Sequence, residues 1–234
     1  IEQSVGQLKL FSQEQSIDKI IAEKSQSPER LQKLKLVSPI MDYGAKEVLL
    51  TCGNNYKSFI DLPGEHLSYI VQAAEKRELK LKTWWFPFIG SQPYLGFFRK
   101  ESALKEAKDL KEKGYDLSVG SVDAFSLLGF FKDPVYSSMT DNDTTPEFIE
   151  TLFHECLHRT VYVSNQYSFN ENLANFVGRQ AAGQFLKKHT EIGENVEEFV
   201  QDFKTKDADQ KIFQKFLVET KNDLNAFYKN LNAQ

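Results

Sequence analysis

The sequence is poor in cysteine and histidine, and it lacks both a long apolar run and an excess of basic residues. Cys52 and Cys156 are the only cysteines, too few to indicate a redox compartment. Cys156 is predicted to be a small buried apolar residue rather than a metal ligand, and a disulfide with Cys52 stays open. No segment is long and apolar enough to span a bilayer. The net charge of −4 gives no basic field to recruit nucleic acid or anionic lipid.

Length and apolar content predict a folded α+β protein with one domain, residues 1–234. Of the 234 residues, 41% are hydrophobic, so the chain can bury a sizeable core. Apolar periodicity indicates a mostly helical protein with a small mixed sheet. In chain order we expect N-terminal helices (1–47), a mixed α/β part (48–135), a pair of helices (144–188) and C-terminal helices (191–234).

The same patterns predict individual elements. Helices are expected over 2–12, 15–24, 28–42 and 101–113, and two long helices are expected within 193–232. Gly114 is the predicted end of the helix over 101–113. Strands are expected near 68–72, 79–87, 95–99 and 115–122. Residues 123–129 are a candidate edge for pairing with a peptide backbone. The aromatic run Trp84, Trp85 and Phe86 could line a pocket for a substrate side chain, but packing in the core is favoured.

Two of the four histidines belong to one short motif, His154-Glu155-Cys156-Leu157-His158. On an α-helix, residues four apart are separated by about 40° around the axis, so both imidazoles project from one face. Zn²⁺ takes imidazole nitrogens at about 2.0–2.1 Å, a geometry that this pair can meet. Glu155 is offset by about 100° and can reach a water molecule held at the ion. The motif therefore predicts that His154 and His158 hold zinc and that Glu155 is the general base.

The residues before the motif predict the helix that it requires. Thr144 and Glu147 fit a capping box, and Pro146 is tolerated in the first turn of a helix. The helix is expected to be buried because apolar residues surround its histidines. These residues are Phe148, Ile149, Leu152, Phe153, Cys156 and Leu157.

A second helix is predicted to supply the third ligand. Ser164 stands where the metzincin pattern HExxHxxGxxH requires its third histidine, so that pattern is excluded. Residues 169–178 have helical periodicity, and Glu171, Ala174 and Gly178 lie close together on one side. Small residues there would let this helix approach the first, so Glu171 is the predicted third ligand and 144–188 contains the metal-binding helices. The apolar stripe is expected to consist of Leu173, Phe176 and Val177.

Several segments in order resemble one family. The motif is followed by Phe169-Asn170-Glu171, then Ala174 and Val177, and it is preceded by distinctive segments at 83–90, 94–98, 114–116, 124–129 and 133–135. This arrangement resembles the bacterial proteins described as putative aminopeptidases of the gluzincin type. In that family an HExxH helix is followed by a Phe-Asn-Glu-x-x-Ala-x-x-Val helix. Phe125, Leu127 and Arg159 depart from the family's usual Tyr, Thr and Gln, and none of them is a predicted ligand or base.

The resemblance implies a zincin-like metallopeptidase fold, one Zn²⁺ per chain and a peptide substrate. Asn175 stands where many gluzincins have an Asp that orients a histidine, and an Asn oxygen can accept the same imidazole N–H. Gluzincins often use a Tyr or a His to stabilise the oxyanion. By position Tyr94, Tyr162 and Tyr167 are candidates for this role, and Tyr94 is favoured. His66 and His189 are expected to have no functional role.

Three functions stay open within this resemblance. The first is a zinc aminopeptidase, which must bind a free α-ammonium with a carboxylate that the sequence does not identify. The second is a zinc endopeptidase of the same clan. The third is a catalytically inert peptide-binding or envelope protein on a zincin scaffold. Members of the family often carry an N-terminal signal or lipoprotein anchor. The resemblance therefore implies a bacterial extracytoplasmic location, periplasmic or membrane-anchored, with the anchor outside the given chain.

Overall fold

The computed structural model describes residues 12–64, 66–87, 90–122 and 132–232. Its α-helices are α1 (Ile17–Glu23), α2 (Pro28–Glu47), α3 (Lys100–Glu112), α4 (Ser137–Asp141), α5 (Thr145–Thr160), α6 (Tyr167–Lys188) and α7 (Val196–Asn232), with a 3₁₀-helix at Thr190–Ile192. Its strands are β1 (Gln15–Ser16), β2 (Ser58–Ile60), β3 (Ser68–Glu75), β4 (Trp84–Phe86), β5 (Gly90–Gln92), β6 (Leu95–Phe97), β7 (Tyr115–Val122) and β8 (Val135–Tyr136).

The strands form three small sheets in the described part of the chain, whereas the sequence predicted one mixed sheet. In the first sheet β2 lies between β1, to which it is antiparallel, and β8, to which it is parallel. The second sheet is antiparallel with the order β6-β3-β7, and the third is the antiparallel pair β4-β5. The β3-β7 ladder runs from Ser68 opposite Val122 to Glu75 opposite Tyr115. The combination of helices and small sheets agrees with the predicted α+β class.

Several helices and strands have boundaries that differ from the predicted ones. Helix α2 continues to Glu47, beyond the predicted end at residue 42, and Gly44 in its last turn lies close to the ring of Phe153 in the core. The predicted strand over 79–87 is reduced to β4 and an isolated bridge at Leu81. The two helices expected within 193–232 are one helix, α7, because neither Gly nor Pro interrupts the chain between 196 and 232. The predicted helix over 2–12 lies almost wholly outside the described residues.

Other boundaries agree with the prediction. Strand β7 has the predicted bounds, and α3 begins one residue before the predicted start and ends one residue before the predicted end. Gly114 follows α3 with φ +93°, the left-handed conformation expected of a glycine after a helix. None of the described helices combines the length and the apolar composition needed to cross a membrane.

The main hydrophobic core joins α2, α5 and α6. Tyr43 of α2, Phe153 of α5 and Phe185 of α6 form an aromatic cluster with ring centroids 5.4–6.2 Å apart, in which Phe185 meets both other rings edge-to-face. A second, smaller core lies where β3 packs against α3 and includes Val71 and Ala103. Trp84 packs against this second core, but Trp85 is 71% exposed, so the prediction that Trp85 is a core residue was wrong. Successive residues of a strand face opposite sides, and β4 has only one packed side.

A disulfide joins Cys52 to Cys156, with the two Cα atoms 5.0 Å apart. Cys156 is fully buried, as the sequence predicted, but it is not the free apolar residue that was expected. Because Cys156 lies in the middle of α5, the disulfide attaches the segment that follows α2 to the helix that carries both motif histidines. Nearby, Thr160 near the end of α5 accepts a hydrogen bond from the backbone N–H of Thr51 at 2.8 Å.

Candidate metal centre

Helix α5 begins with the capping box predicted from the sequence. The Thr144 hydroxyl accepts a hydrogen bond from the Glu147 backbone N–H at 3.4 Å, and Glu147 Oε2 accepts one from the Thr144 N–H at 3.0 Å. Pro146 lies in the first turn. The helix continues to Thr160 and includes residues 154–158, so its geometry presents His154 and His158 on one face.

Close packing of α6 on α5 brings Glu171 to these histidines. Ala174 is fully buried between the helices, and a Cβ added to Gly178 would lie 3.0 Å from the Glu150 carbonyl oxygen and 3.2 Å from the His154 nitrogen. The predicted close approach through small residues is therefore confirmed. Phe176, which was assigned to the apolar stripe, is instead 63% exposed because the face with Ala174 and Gly178 is the one that turns toward α5.

The side chains of His154, His158 and Glu171 converge. Their potential ligand atoms all lie within 4.8 Å of one another. The two Nε2 atoms are 3.1 Å apart, and the Glu171 oxygens lie 3.6 Å from His154 Nε2 and 3.5 Å from His158 Nε2. Ligands at about 2.0–2.1 Å from a tetrahedral zinc ion lie roughly 3.3 Å from each other. The spacing and chemistry of the three donors therefore fit one zinc ion.

The two histidines have opposite pKa shifts. Burial, with the neighbouring His154, lowers the pKa of His158 to about 4, so His158 is neutral near pH 7, as a metal ligand must be. Burial also acts to lower the pKa of His154, but hydrogen bonds to Glu171 and Asn175 and the charges of Glu155 and Glu171 outweigh it and raise the pKa. Both histidines lie at similar distances from Glu171, so the opposite shifts reflect the additional contacts of His154 with Asn175 and Glu155.

The two glutamates of the site differ in exposure, since the Glu171 side chain is 34% exposed and Glu155 is buried. Burial acts to raise the pKa of Glu171, but the hydrogen bond with His154 and the charges of both histidines lower it overall, so Glu171 is an ionised donor. Glu155 is only 7% exposed and lines the cleft described below together with His154. A carboxylate with little water around it and an open cleft in front of it is suited to proton transfer.

Asn175 forms a side-chain hydrogen bond with His154 that acts to raise the pKa of the histidine. A hydrogen bond between these two side chains is the kind of contact expected of a residue that orients His154. His158 lacks such a contact. Its Nδ1 is buried and has no hydrogen-bond partner among the described residues.

All three candidate tyrosines gather near the histidines. Tyr94 packs edge-to-face on Tyr167 with centroids 5.7 Å apart, and burial, then Tyr167 and the charges of Glu171 and Glu155, raise its pKa. The ring of Tyr162 lies 6.5 Å from that of His158, and its hydroxyl accepts a hydrogen bond from Gln92 at 3.1 Å. Tyr94 is therefore a phenol that stays protonated, and it lies within the field of both site glutamates.

The remaining histidines lie elsewhere. His189 Nδ1 lies 2.8 Å from Glu191 Oε1 and its ring packs on Phe185, while the ring of His66 packs edge-to-face on Tyr69. Neither histidine joins the donor group. The candidate peptide-pairing edge at 123–129 falls outside the described residues.

A cleft of about 750 Å³ opens at His154 and Glu155 and extends between α5, α6 and the first turns of α7. Seven carboxylates line it, against the two cations Arg179 and Lys206. Arg179 Nε donates to Glu150 Oε1 at 2.9 Å, and its guanidinium lies 4.6 Å from the Phe203 ring centroid. Sequence reasoning missed this cleft because it depends on how α7 packs. The seven carboxylates belong to Asp143, Glu147, Glu150, Glu155, Glu194, Glu198 and Asp202.

A buried polar group lies on the side of α5 that faces the segment after α2. The Asn55 side chain donates to Asp133 Oδ2 at 3.0 Å and accepts from the Asp133 N–H at 3.2 Å. Arg159 Nη1 lies 3.8 Å from the same carboxylate, and the Tyr56 N–H donates to the Asp133 carbonyl at 2.6 Å. The sequence signal for this group was the Asp133-Pro134 pair and the Arg159 beside His158, but neither indicated Asn55 or Tyr56.

This α+β protein has the donor set of a single metal centre. One helix supplies His-Glu-x-x-His, and the next helix supplies a carboxylate. A family model described as "Putative aminopeptidase" matches residues 1–234, the whole chain, and the chain therefore belongs to that family. Comparisons with curated proteins and with solved structures gave no significant match.

Proposed function

We propose that this protein is a zinc-dependent aminopeptidase of the gluzincin type, with a zincin-like fold. In this proposal His154, His158 and Glu171 hold one Zn²⁺ per chain. The main support is the convergence of these three donors, within 4.8 Å of one another, where His154 and the buried Glu155 line a cleft. The membership of the chain in an aminopeptidase family supports a peptide as the substrate.

When bound, zinc would supply Lewis-acid polarisation of the scissile carbonyl and of a water molecule. Glu155 accepts a proton from the attacking water and later delivers it to the leaving amine. The protonated phenol of Tyr94 donates a hydrogen bond to the oxygen on which negative charge develops. Asn175 fixes the ring of His154 by accepting its N–H.

The charge of the cleft favours an amino terminus over a carboxyl terminus. Its lining carries seven carboxylates and two cations, and Glu150 lies one helical turn before His154 on α5. A peptide α-ammonium is attracted to such a lining, whereas a terminal carboxylate is repelled. This observation favours an aminopeptidase over an exopeptidase that acts from the other end.

The test combines metal analysis with a panel of free and N-blocked aminoacyl and peptide substrates. We expect one zinc per chain, cleavage of the free-amine substrates alone, and loss of cleavage on chelation. The variant Glu155→Gln should keep its zinc and lose turnover, while Glu219→Gln on the exposed part of α7 serves as the control.

Other results of the same test would reject the proposal. Cleavage of N-blocked peptides at internal bonds would indicate the endopeptidase. Bound zinc without cleavage of any peptide would indicate the inert peptide-binding or envelope protein. Failure to bind zinc would reject the ligand assignment.

We also propose an extracytoplasmic location in a bacterium, periplasmic or membrane-anchored, with any anchor outside the given chain. The Cys52–Cys156 disulfide supports this because disulfides persist in oxidising compartments. Trapping of free thiols in fractionated cells tests it. Oxidised protein in the envelope fraction is expected, and reduced protein in the cytoplasm would contradict the proposal.

A further inference from the structure

Tyr56 has a backbone conformation that bulky residues rarely adopt. Its φ is +58°, in the left-handed region where the side chain crowds the backbone. Glycine or asparagine would occupy this position with less strain. A tyrosine at such a position requires surroundings that hold it there, and strained residues of this kind cluster at functional sites.

The surroundings that hold Tyr56 are the buried polar group around Asp133. The Tyr56 N–H donates to the Asp133 carbonyl, and the preceding Asn55 is paired with Asp133 by two side-chain hydrogen bonds. Arg159 of α5 approaches the same carboxylate. The backbone of Tyr56 is thereby tied to the helix that carries Glu155.

Burial of the Tyr56 hydroxyl costs free energy. The residue is only 3% exposed, and its Oη has no hydrogen-bond partner among the described residues. Burial raises the pKa of this phenol, and the strongest charge acting on it is that of Glu155. A phenylalanine would fill the same space without leaving a buried donor unsatisfied. Packing alone therefore does not account for the hydroxyl.

We propose that Tyr56 is a positioning residue for Glu155, held in a strained conformation so that its hydroxyl can donate a hydrogen bond to the Glu155 carboxylate during the reaction. This inference rests on the proposed role of Glu155 as the proton carrier. Glu155 must turn from the attacking water to the leaving amine, and a fixed donor on its inner side limits the carboxylate to productive orientations.

The first experiment compares Tyr56→Phe with the control Tyr43→Phe in the zinc-loaded full chain. Tyr43 is also a buried tyrosine, but it packs in the main core against Phe153 and Phe185. For Tyr56→Phe we expect kcat to fall by about tenfold or more with KM within about twofold, because the hydroxyl orients Glu155 and does not bind the peptide. Zinc content should be unchanged in both variants, and Tyr43→Phe should keep its kcat.

The second experiment does not depend on activity. Thermal unfolding of the metal-free full chain is measured for wild type, Tyr56→Phe, Glu155→Gln and the double variant. Removal of an unsatisfied hydroxyl should raise Tm, by about 2–4 °C for a chain of this size. The shift caused by Tyr56→Phe should differ in the Glu155→Gln background, because groups that interact are not additive.

The inference is overturned if the Tyr56→Phe shift in Tm is the same in both backgrounds, or if kcat stays within about twofold of an active wild type. A wild type that cleaves no peptide would reject the proposed function instead, and the thermal comparison would still decide whether Tyr56 and Glu155 are coupled.

Discussion

Asn175 and Gly178 show how single residues of α6 determine the geometry of the candidate metal centre. Asn175 forms a side-chain hydrogen bond with His154 that acts to raise the pKa of the histidine. Gly178 leaves no room for a side chain between the helices, so that the Glu171 carboxylate reaches both histidines. Both residues act through atoms that would never touch a substrate, so we expect their replacement to alter metal affinity and stability first.

Replacement of Asn175 by Ala should weaken zinc binding by roughly 10- to 100-fold, because His154 loses the acceptor that fixes its ring. Competition with a chromophoric chelator measures the affinity. Asn172→Ala, at an exposed position of the same helix, is the matched control and should bind zinc as wild type does. Equal affinities in the two variants would show that the Asn175 contact does not support the ligand.

Replacement of Gly178 by Ala should destabilise the protein by about 1–3 kcal/mol, because the new methyl group meets backbone atoms at 3.0–3.2 Å. Gly183→Ala on the same helix is the control, because a methyl group at Gly183 has room. Its Cβ would meet only Val200 and Phe199 at 3.8–4.0 Å, so higher helix propensity should stabilise it by up to about 1 kcal/mol. Urea unfolding compares the two, and a stable Gly178→Ala variant would contradict the close packing of α5 and α6.

At the scale of elements, an ion-pair cluster joins α2 to α4 and to the segment after β2. Arg30 of α2 donates to both oxygens of Asp141, at 2.7 and 2.5 Å, and to Asp61 at 3.1 Å. The hydrogen bond from Arg30 lowers the pKa of Asp141 below its ordinary value of 3.8. Helix α4 directly precedes α5, so this contact helps to fix where the helix that carries His154 and His158 begins.

The pH dependence of Asp141 has a definite sign. Its native pKa is below the unfolded value, so its stabilisation is fully present above pH 3.8 and is lost as the pH falls through the native pKa. Asp141→Asn should therefore lower the urea midpoint at pH 7, with a smaller difference at about pH 2. The effect is modest because the Asp141 side chain is 43% exposed. Asp42→Asn, in the exposed pair with Lys46, should change little, and a pH-independent difference for Asp141→Asn would contradict the ion pair.

The sequence predicted those elements whose signals are local. The capping box of α5, the bounds of β7, and the small residues on α6 each follow from neighbours along the chain, and the structure agrees with all three. The contacts made by distant segments could not be predicted in this way. The partner of Cys156, the exposure of Trp85 and the strain at Tyr56 depend on which segments meet in space.

At the scale of the whole molecule, charge is unevenly distributed. The net charge of the chain is only −4, yet the cleft has seven carboxylates against two cations. Several of these carboxylates have local partners, such as Lys206 for Asp202 and Arg179 for Glu150. Glu194 and Glu198 lie at the α7 side of the cleft, and neither forms an ion pair with a Lys or Arg in the described part of the chain.

The cleft should select substrates by charge. Aminoacyl substrates with a Lys side chain should have a higher kcat/KM than those with Glu, and added salt should reduce the difference because it screens the lining. The double variant Glu194→Gln/Glu198→Gln should narrow the preference. The control double variant Glu219→Gln/Asp223→Asn changes two exposed residues of α7 outside the cleft and should leave the preference for Lys over Glu unchanged. A preference that is independent of salt would show that the lining does not select the substrate.

The disulfide also has a topological consequence. Its two cysteines are 104 residues apart, so the chain between them, with the second and third sheets and α3 and α4, forms a covalently closed ring. One peptide-bond cut anywhere inside this ring opens it without releasing a fragment, since both ends stay tied through the sulfurs. The protein can therefore be nicked between the sheets and α5 and still migrate as one molecule until it is reduced.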